Sequence, residues 1–319
     1  MNNSSNMLQT PEWLDHYKEL VASGHSQRQA CAILNIARST VQDTLKRIEQ
    51  KEEMISGKKP KGMRVLLFDI ESAPHLGYFW QRWKQNIGSN QVEKEGGYIL
   101  TAAWKWLGED EVFHVCAADP VSGDDSNICA TLYEVIEEAD AIVAHNSSAF
   151  DYPMLNARLV QNGFRPLKSV KKIDTLQIAK KNFRFASNKL DDLGKFLGVG
   201  RKIDTGGFEL WHRVIKGEKA AMLEMVEYNK QDVLLLEKVY LKLRAFDSNL
   251  QANAGHYYHD NLSRCPCCGS SDVTESGNFA YTPVSIFVEM VCTDCGHRSR
   301  KRQAINDKEK RATMLVTPK

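Results

Sequence analysis

Carboxylates are the residues of this sequence whose spacing most directly suggests chemistry. Asp69 and Glu71 lie two positions apart at the end of the apolar run 65–68, and alternate side chains of a strand share one face. Two like charges beside a buried strand are costly unless a cation neutralises them, and a divalent ion with oxygen ligands is well suited to do so. The pair therefore indicates a metal site, and two solvated acids at a strand end are the alternative.

Two more acidic residues occupy positions that could complete this site. Asp151 follows the apolar run 141–144 at the start of a predicted helix, close to the strand ends where α/β sheets bind ligands. It could also be the N-cap of that helix. Asp232 lies four residues after Tyr228, so both side chains project from one helical face. Because apolar residues follow Asp232, its carboxylate should be buried and need a partner such as a metal ion, while Tyr228 is either core or part of the site.

Together these residues resemble the motifs of the DEDD (DnaQ-like) exonuclease superfamily in its tyrosine-bearing (DEDDy) branch, and within it the YprB-like ribonuclease-H-like group. The matching motifs are D-I-E at residues 69–71, H-N-x-x-x-F-D-x-P at residues 145–153 and Y-x-x-x-D at residues 228–232. The loop at residues 202–208 and Trp211 are also similar to a loop of that group. Glu227 stands where the histidine-bearing branch has its histidine, so that branch is excluded. The resemblance covers about residues 63–244.

The resemblance implies a metal-dependent 3′→5′ exonuclease that hydrolyses phosphodiester bonds, above all those of DNA, with two Mg²⁺ or Mn²⁺ ions about 4 Å apart. It implies that Asp69 bridges both ions and that the other carboxylates complete their coordination, namely Glu71, Asp151 and Asp232. Tyr228 would then hold the attacking water by a hydrogen bond. Asn146 and Phe150 would contact the terminal nucleotide, with a place in the core as the alternative for Phe150. Asp174 is expected to cap a helix.

Three other functions remain open on the sequence. One is an endonuclease of the resolvase or transposase type with a ribonuclease-H fold, against which the D-x-E and Y-x-x-x-D motifs argue. Another is an exonuclease that acts on RNA. The non-enzymatic alternative is a DNA-binding adaptor with an inactive nuclease core, against which the four intact carboxylates argue. Replication or recombination proteins are the expected protein partners.

The elements that would position the carboxylates are those of an α/β fold. Strands are predicted at residues 64–69, 98–106, 112–116 and 141–144, and helices at about residues 132–136, 153–160 and 218–240. Strand–strand–strand–helix–strand–helix is the chain order of the ribonuclease-H-like fold, a mixed sheet with flanking helices. We therefore predict a nuclease domain of this fold at residues 63–250.

The cysteines near the C-terminus predict a second metal site. Of the eight cysteines, four form two C-x-x-C-G segments, and such pairs hold one structural Zn²⁺ tetrahedrally. The ligands are Cys265, Cys268, Cys292 and Cys295. Disulfides are the alternative, which a reducing compartment disfavours. We predict a zinc ribbon at residues 260–305, followed by a basic tail at residues 306–319. The ribbon should include a strand at residues 284–290 and four basic residues placed to contact phosphate, Arg298, Arg300, Lys301 and Arg302. Cys267 is left over, and His297 is a less favoured substitute ligand.

The N-terminal residues 1–50 predict three short helices, with Ser26 as N-cap of the second. A tight turn before the third helix describes a helix-turn-helix, and residues 24–41 resemble those of resolvases and small repressors. We expect contacts with duplex DNA through Lys46 and Arg47, and a helical bundle that mediates assembly is the alternative. Residues 51–62 predict a linker, because charge, Gly and Pro replace periodic apolar residues.

The composition is that of a globular protein, with 42% hydrophobic and 26% charged residues and a net charge of +2. The apolar runs are too short to span a membrane, and the first residues lack the basic start and apolar core of a signal peptide. We therefore expect no membrane partner and a cytoplasmic location, in a bacterial cell or in a phage-infected host.

Overall fold

The computed structural model describes residues 13–38, 40–41, 44–45, 62–81, 83–250, 252–258 and 260–318. The chain separates into two compact units, Met1–Pro60 and Lys61–Lys319. In the first unit, helix α1 spans Trp13–Ala22 and helix α2 spans Gln27–Ile33, and helical backbone recurs at residues 38, 40–41 and 44–45. The N-cap prediction is confirmed, because Ser26 forms a capping box with Gln29 at the start of α2.

A small apolar cluster holds the helices of the first unit together. Its buried members are Tyr17, Ala30, Cys31 and Val41. The expected DNA contacts, Lys46 and Arg47, lie outside the described residues, as does the predicted linker up to residue 61. DNA binding by this unit therefore stays a prediction.

The second unit is built on a five-stranded mixed sheet. Its strands are β1 (Val65–Ser72), β4 (Ile99–Trp106), β5 (Phe113–Cys116), β6 (Ala141–Ala144) and β7 (Lys171–Asp174), in the order β5-β4-β1-β6-β7. The first three pair antiparallel, whereas β6 runs parallel to both β1 and β7. Between β1 and β4, strands β2 (Leu76–Gly77) and β3 (Val92–Lys94) form a short separate hairpin.

Helices cover the sheet, as predicted. They are α3 (Ser126–Glu138), α4 (Asp151–Gln161), α5 (Thr175–Asn182), α6 (Leu190–Phe196), α7 (Glu209–Ile215) and α8 (Lys219–Leu243). Alternate residues of β1 enter two different apolar clusters, because side chains of a strand point to opposite faces. Leu66 and Phe68 pack in the cluster that contains residues of α3 and α4, whereas Val65 and Leu67 pack in the cluster that contains residues of α8.

The C-terminal part forms a three-stranded sheet of order β10-β9-β8, with β8 at Val273–Tyr281, β9 at Ile286–Cys292 and β10 at Arg298–Arg300. Cys265, Cys267 and Cys268 precede β8, Cys292 is the last residue of β9, and Cys295 lies in the turn before β10. The tail carries a short helix, α9, at Lys308–Ala312. This ribbon contacts the turn that follows α8. The Cys267 thiol lies 3.5 Å from the Arg244 carbonyl oxygen, and His297 Nδ1 donates to the Ala245 carbonyl at 2.9 Å. The ribbon is thus packed against the turn that follows α8, while the predicted domain boundaries stay a prediction.

No helix in the described ranges is both long enough and apolar enough to cross a bilayer.

Candidate active site

Three of the predicted carboxylates meet on one face of the sheet. Asp69 and Glu71 continue the set of alternate β1 residues that begins with Val65 and Leu67, so they point towards α8. Asp232 projects from the middle of α8, where it is fully buried. One carboxylate oxygen from each of the three lies within 4.8 Å of the others. The chain therefore places oxygen donors where one divalent cation could contact all of them.

Burial and mutual repulsion make this cluster unfavourable in its ionised form. Burial raises the pKa of Asp69 well above its usual range, and the neighbouring charges of Glu71, Asp151 and Asp232 raise it further. Burial, followed by the charge of Asp232, raises the pKa of Glu71 to about 8. Burial also raises the pKa of Asp232, and Lys202 offsets part of this effect. A bound cation would remove both causes of instability.

Asp151 is close enough to interact with this cluster but is not one of its three tightly grouped members. It is the first residue of α4, and the N-cap is Phe150, so the alternative of Asp151 as an N-cap was wrong. Its side chain is 2% exposed, and its Oδ1 atom has no hydrogen-bond partner. Burial raises its pKa to about 7, with partial offset from the backbone N–H groups of Asp151 and Ile70. An unpaired buried carboxylate oxygen is costly, and a cation ligand role would relieve that cost.

Lys202 is a site residue that the sequence-based prediction did not include. Its ammonium donates to Asp232 Oδ2 at 2.5 Å and to the Tyr228 hydroxyl at 3.0 Å. Burial lowers the pKa of Lys202, but the charges of Asp232 and Asp69 outweigh this effect and raise it overall. The other oxygen of Asp232, Oδ1, is buried without a hydrogen-bond partner. Lys202 thus occupies one side of the Asp232 carboxylate and leaves the other side available to a cation.

Tyr228 lies beside the carboxylates, as its spacing from Asp232 predicts. Its ring packs edge-to-face against Trp211, with centroids 5.9 Å apart. Burial, followed by the charge of Asp232, raises the pKa of the Tyr228 hydroxyl. The hydroxyl therefore stays protonated at neutral pH and can act as a hydrogen-bond donor. Trp211 and Lys202 both come from the segment that precedes α8, so this segment positions the tyrosine.

Asn229 is a second site residue that the prediction did not include. It is fully buried in α8, and its Nδ2 donates to Asp69 Oδ2 at 2.7 Å. Its Oδ1 accepts a long hydrogen bond of 3.4 Å from the hydroxyl of Thr101, a residue of β4. A neutral amide that donates to Asp69 fixes the orientation of that carboxylate without adding charge. Its place next to Tyr228 in the sequence was the available signal.

The loop that begins with His145 forms the wall of a groove beside the carboxylates. Asp174 caps α5 as expected, accepting from Leu176 N–H at 3.0 Å, and it also accepts from Asn146 N–H at 2.9 Å. Asn146 has a positive φ of 69°, which this contact helps to hold. The groove measures about 610 Å³ and is lined by His145, Asn146, Leu176, Lys180, Asn188, Lys189, Leu190, Asp191 and Lys202. Phe150 is 41% exposed, so its alternative place in the core was wrong.

The C-terminal cysteines are arranged as a tetrahedral metal site requires. The Sγ atoms of Cys265, Cys268, Cys292 and Cys295 all lie within 4.8 Å of one another. Two pairs, Cys265 with Cys295 and Cys268 with Cys292, are 3.6 Å apart. Thiolates on a tetrahedral Zn²⁺ would be about 3.8 Å apart. All eight cysteines are free, so the disulfide alternative was wrong.

Neither of the two spare residues of the ribbon belongs to this set of four. Cys267 is buried against the Arg244 carbonyl, where burial raises the pKa of its thiol. His297 donates to the Ala245 carbonyl. Both residues therefore join the ribbon to the turn that follows α8, which accounts for Cys267, the cysteine that the zinc prediction left over.

Comparison with known proteins identifies the sheet-containing part of the chain. Residues 87–244 match a family model described as RNase_H superfamily. A DNA polymerase from Archaeoglobus fulgidus is 23% identical over 248 residues, which are 72% of this chain and 27% of the polymerase. This chain therefore spans about a quarter of that relative's length. The solved structure of a family B DNA polymerase from Pyrobaculum calidifontis matches 60% of this chain and 26% of its own, with 17% identity and a TM-score of 0.42.

The matched range begins after β1, so Asp69 and Glu71 come from the strand that precedes it. It includes Asp151, Asp232 and Tyr228, together with Lys202 and Asn229. The mixed sheet and flanking helices are those of the predicted ribonuclease-H-like fold. The chain therefore carries an RNase H superfamily domain at residues 87–244, and with it the fold of a nuclease superfamily.

Proposed function

We propose that this protein is a metal-dependent 3′→5′ exonuclease that acts on DNA and holds two divalent cations, Mg²⁺ or Mn²⁺. The observation that carries the proposal is the meeting of Asp69, Glu71 and Asp232 oxygens within 4.8 Å on the buried face of β1. Asp151 adds a fourth carboxylate, whose charge acts on both Asp69 and Glu71. A cluster of this charge has no structural benefit, because burial and repulsion both oppose it.

Orphaned oxygens indicate which residues would hold the cations. Among the described residues, two carboxylate oxygens are buried without a hydrogen-bond partner, Asp151 Oδ1 and Asp232 Oδ1. Oxygen donors are what Mg²⁺ and Mn²⁺ prefer. The site thus fits such ions because it is negatively charged, offers oxygen ligands and contains two carboxylate oxygens without a hydrogen-bond partner. In the proposed assignment, Asp69, Glu71, Asp151 and Asp232 would hold the cations, with Asp69 at the centre of the cluster because the charges of the other three all act on it.

The bound cations would supply Lewis acidity, which lowers the pKa of a water molecule and offsets charge on the leaving oxygen. The chain itself supplies orientation. Tyr228 would hold the attacking water, because its protonated hydroxyl lies beside Asp232. Asn229 would hold the Asp69 carboxylate in one rotamer. Lys202 would keep the Tyr228 hydroxyl in place and add positive charge near the phosphate.

The groove beside the carboxylates suits a nucleic acid strand. Lys180, Lys189 and Lys202 line it, and lysines bind phosphate as point charges. Asn146 lies on its wall, where it could contact the terminal nucleotide, and Phe150 is exposed nearby in sequence. The similar protein from Archaeoglobus fulgidus is a DNA polymerase, which favours DNA over RNA as the substrate.

The test is cleavage of single- and double-stranded DNA and RNA, labelled at either end, in the presence of Mn²⁺. We expect 5′-labelled DNA to give a ladder that shortens with time and 3′-labelled DNA to release its label at once as a mononucleotide. Internal cuts at a fixed position would favour the endonuclease alternative, and preferential cleavage of RNA would reassign the substrate. Absence of cleavage on every substrate would support the inactive adaptor.

We also propose that the four ribbon cysteines hold one structural Zn²⁺ and that the N-terminal helical unit binds duplex DNA. The spacing of the sulfur atoms supports the zinc site. The helix-turn-helix proposal rests on the capped α2 and the turn after it, where Asn35 has a φ of 51°. Lys46→Ala and Arg47→Ala should weaken duplex binding and reduce its salt dependence. Salt-insensitive binding, or none, in an anisotropy titration would favour the assembly alternative.

A further inference from the structure

The loop that joins β2 to β3, residues 78–91, exposes an unusual number of aromatic rings. Trp80 is 97% exposed and Trp83 is 83% exposed, and Phe79 is 58% exposed beside them. Tryptophan is the largest side chain in proteins and is highly buried on average. Two nearly bare tryptophans three positions apart therefore indicate a surface that is covered by a ligand.

The loop does not need these rings for its own structure. Its ends are joined by a backbone hydrogen bond from Tyr78 N–H to the Gln91 carbonyl at 2.8 Å. The Gln91 side chain donates to the Tyr78 carbonyl at 3.1 Å and accepts from Gly88 N–H at 3.0 Å. Polar contacts thus close the loop, while the tryptophan rings face solvent. The rings are not required for the structure of the loop, so replacing them should leave the fold intact.

The loop carries positive charge, which favours a negatively charged ligand. In the sequence of residues 78–91, Arg82 and Lys84 flank Trp83, and there is no Asp or Glu. Flat aromatic rings interleaved with positive charge suit a single-stranded nucleic acid, because bases stack on the rings and phosphates pair with the cations. Duplex DNA keeps its bases stacked inside and offers no base face to an exposed ring.

The loop follows closely in sequence on the strand that carries two of the carboxylates. β1 carries Asp69 and Glu71 and ends at Ser72, and the hairpin begins at Leu76. β4 starts at Ile99, opposite Ser72, at the same edge of the sheet. The chain between Glu71 and Trp80 can span at most about 30 Å, a distance that a short single strand covers.

We infer that the loop at residues 78–91 is a docking site for single-stranded nucleic acid, in which Trp80 and Trp83 stack on bases. The inference deepens the proposed function, because it assigns a single strand as the substrate form that reaches the carboxylates. Stacking on one aromatic ring changes affinity by about 5- to 150-fold. Loss of both rings should therefore weaken binding by at least about 25-fold if their contributions add.

The experiment measures fluorescence anisotropy of a labelled oligothymidylate with the full chain, in buffer without Mg²⁺ or Mn²⁺ so that the strand is not cleaved. The double variant Trp80→Leu/Trp83→Leu keeps apolar side chains but removes the rings, whereas Trp80→Phe/Trp83→Phe keeps rings. Phe196→Leu changes another exposed ring, 73% exposed on α6, and serves as the matched control. We expect the leucine variant alone to lose at least about 25-fold in affinity, and the phenylalanine variant to stay within about fivefold of wild type.

Three results would overturn the inference. They are a wild-type chain that does not bind the oligothymidylate, a leucine variant that binds like wild type, and leucine and phenylalanine variants that lose affinity equally. The last result would indicate apolar docking of a protein rather than stacking of bases. Cleavage of the same strand with Mn²⁺ separates this inference from the proposed function. Ring-dependent binding without cleavage refutes only the exonuclease, and cleavage with ring-independent binding refutes only the docking site.

Discussion

Replacing Tyr228 with phenylalanine separates the positioning of water from the binding of metal. The substitution removes one hydroxyl and leaves the ring in its edge-to-face contact with Trp211. It also leaves the four carboxylates unchanged. Lys202 loses its 3.0 Å hydrogen bond to Tyr228 but keeps its bond to Asp232. The cost to folding should therefore be that of one hydrogen bond, about 1 kcal/mol.

The effect on cleavage should be larger than the effect on folding. A misplaced catalytic hydrogen bond costs roughly 1.4–4 kcal/mol of transition-state stabilisation, so we expect the rate to fall by about ten- to a thousandfold. The affinity for Mn²⁺ should stay near the wild-type value, because no metal ligand is lost. This split between rate and metal affinity is the signature of a residue that orients water.

Single-turnover cleavage with a parallel Mn²⁺ titration measures both quantities in one experiment. Tyr133→Phe is the matched control, because Tyr133 packs against Phe164 in the apolar cluster on the other side of the sheet. If Tyr228→Phe cleaves at the wild-type rate, Tyr228 is a packing residue and the assignment to a tyrosine-bearing site fails. A loss of Mn²⁺ affinity equal to the loss of rate would assign Tyr228 to metal binding instead.

Three further predictions concern the support of Asp69, the charge of the site and the ribbon. Asn229→Ala should lower Mn²⁺ affinity or cleavage by about 10- to 100-fold, as loss of a hydrogen bond to a metal ligand does, and unchanged values in the same titration would make Asn229 a packing residue. The pKa values of Glu71 and Asp151 are raised to about 8 and about 7, so the contribution of these two groups to the stability of the metal-free protein is greatest where they are protonated. Stability present near pH 4 is then lost as the pH rises through about 7 to 8, and Mg²⁺ should raise the thermal unfolding temperature more at about pH 8.5 than at about pH 5.5. An equal Mg²⁺ effect at both pH values would contradict this prediction. Purified protein should carry about one Zn²⁺ per chain, which Cys292→Ser loses and Cys267→Ala keeps, and elemental analysis that finds no zinc in the wild type would refute the site.

The sheet was predictable where its strands are long and apolar. β1 and β4 carry continuous apolar runs, and both were predicted within a few residues of their bounds. β7 was not predicted, because its four residues include two exposed lysines and no alternation of apolar side chains. The hairpin β2–β3 was missed for a related reason, since β2 has only two residues and its loop is aromatic rather than polar.

The acidic residues of the site could be predicted because a local pattern brings each pair together. Asp69 and Glu71 share a strand face, and Tyr228 and Asp232 share a helix face, so two short spacings suffice. Lys202 and Asn229 make contacts between segments far apart in sequence, to Asp232 and Asp69 respectively. Its position next to Tyr228 was a signal for Asn229, but no local spacing indicates the contacts of either residue with its distant partner. For the same reason the sequence could not predict the role of Cys267, whose contact with the Arg244 carbonyl joins two segments that are distant in sequence.

The four carboxylates are proposed to form a metal site that cleaves DNA from its 3′ end. The most direct test of this proposal is release of the 3′-terminal nucleotide from labelled single-stranded DNA at increasing Mn²⁺ concentrations, with wild type and Asp69→Ala in parallel. We predict that the wild type cleaves only with Mn²⁺ and that Asp69→Ala shows no cleavage at any Mn²⁺ concentration, because the shared ligand of both cations is gone. Metal-independent release, or release by Asp69→Ala at the wild-type rate, would contradict the account.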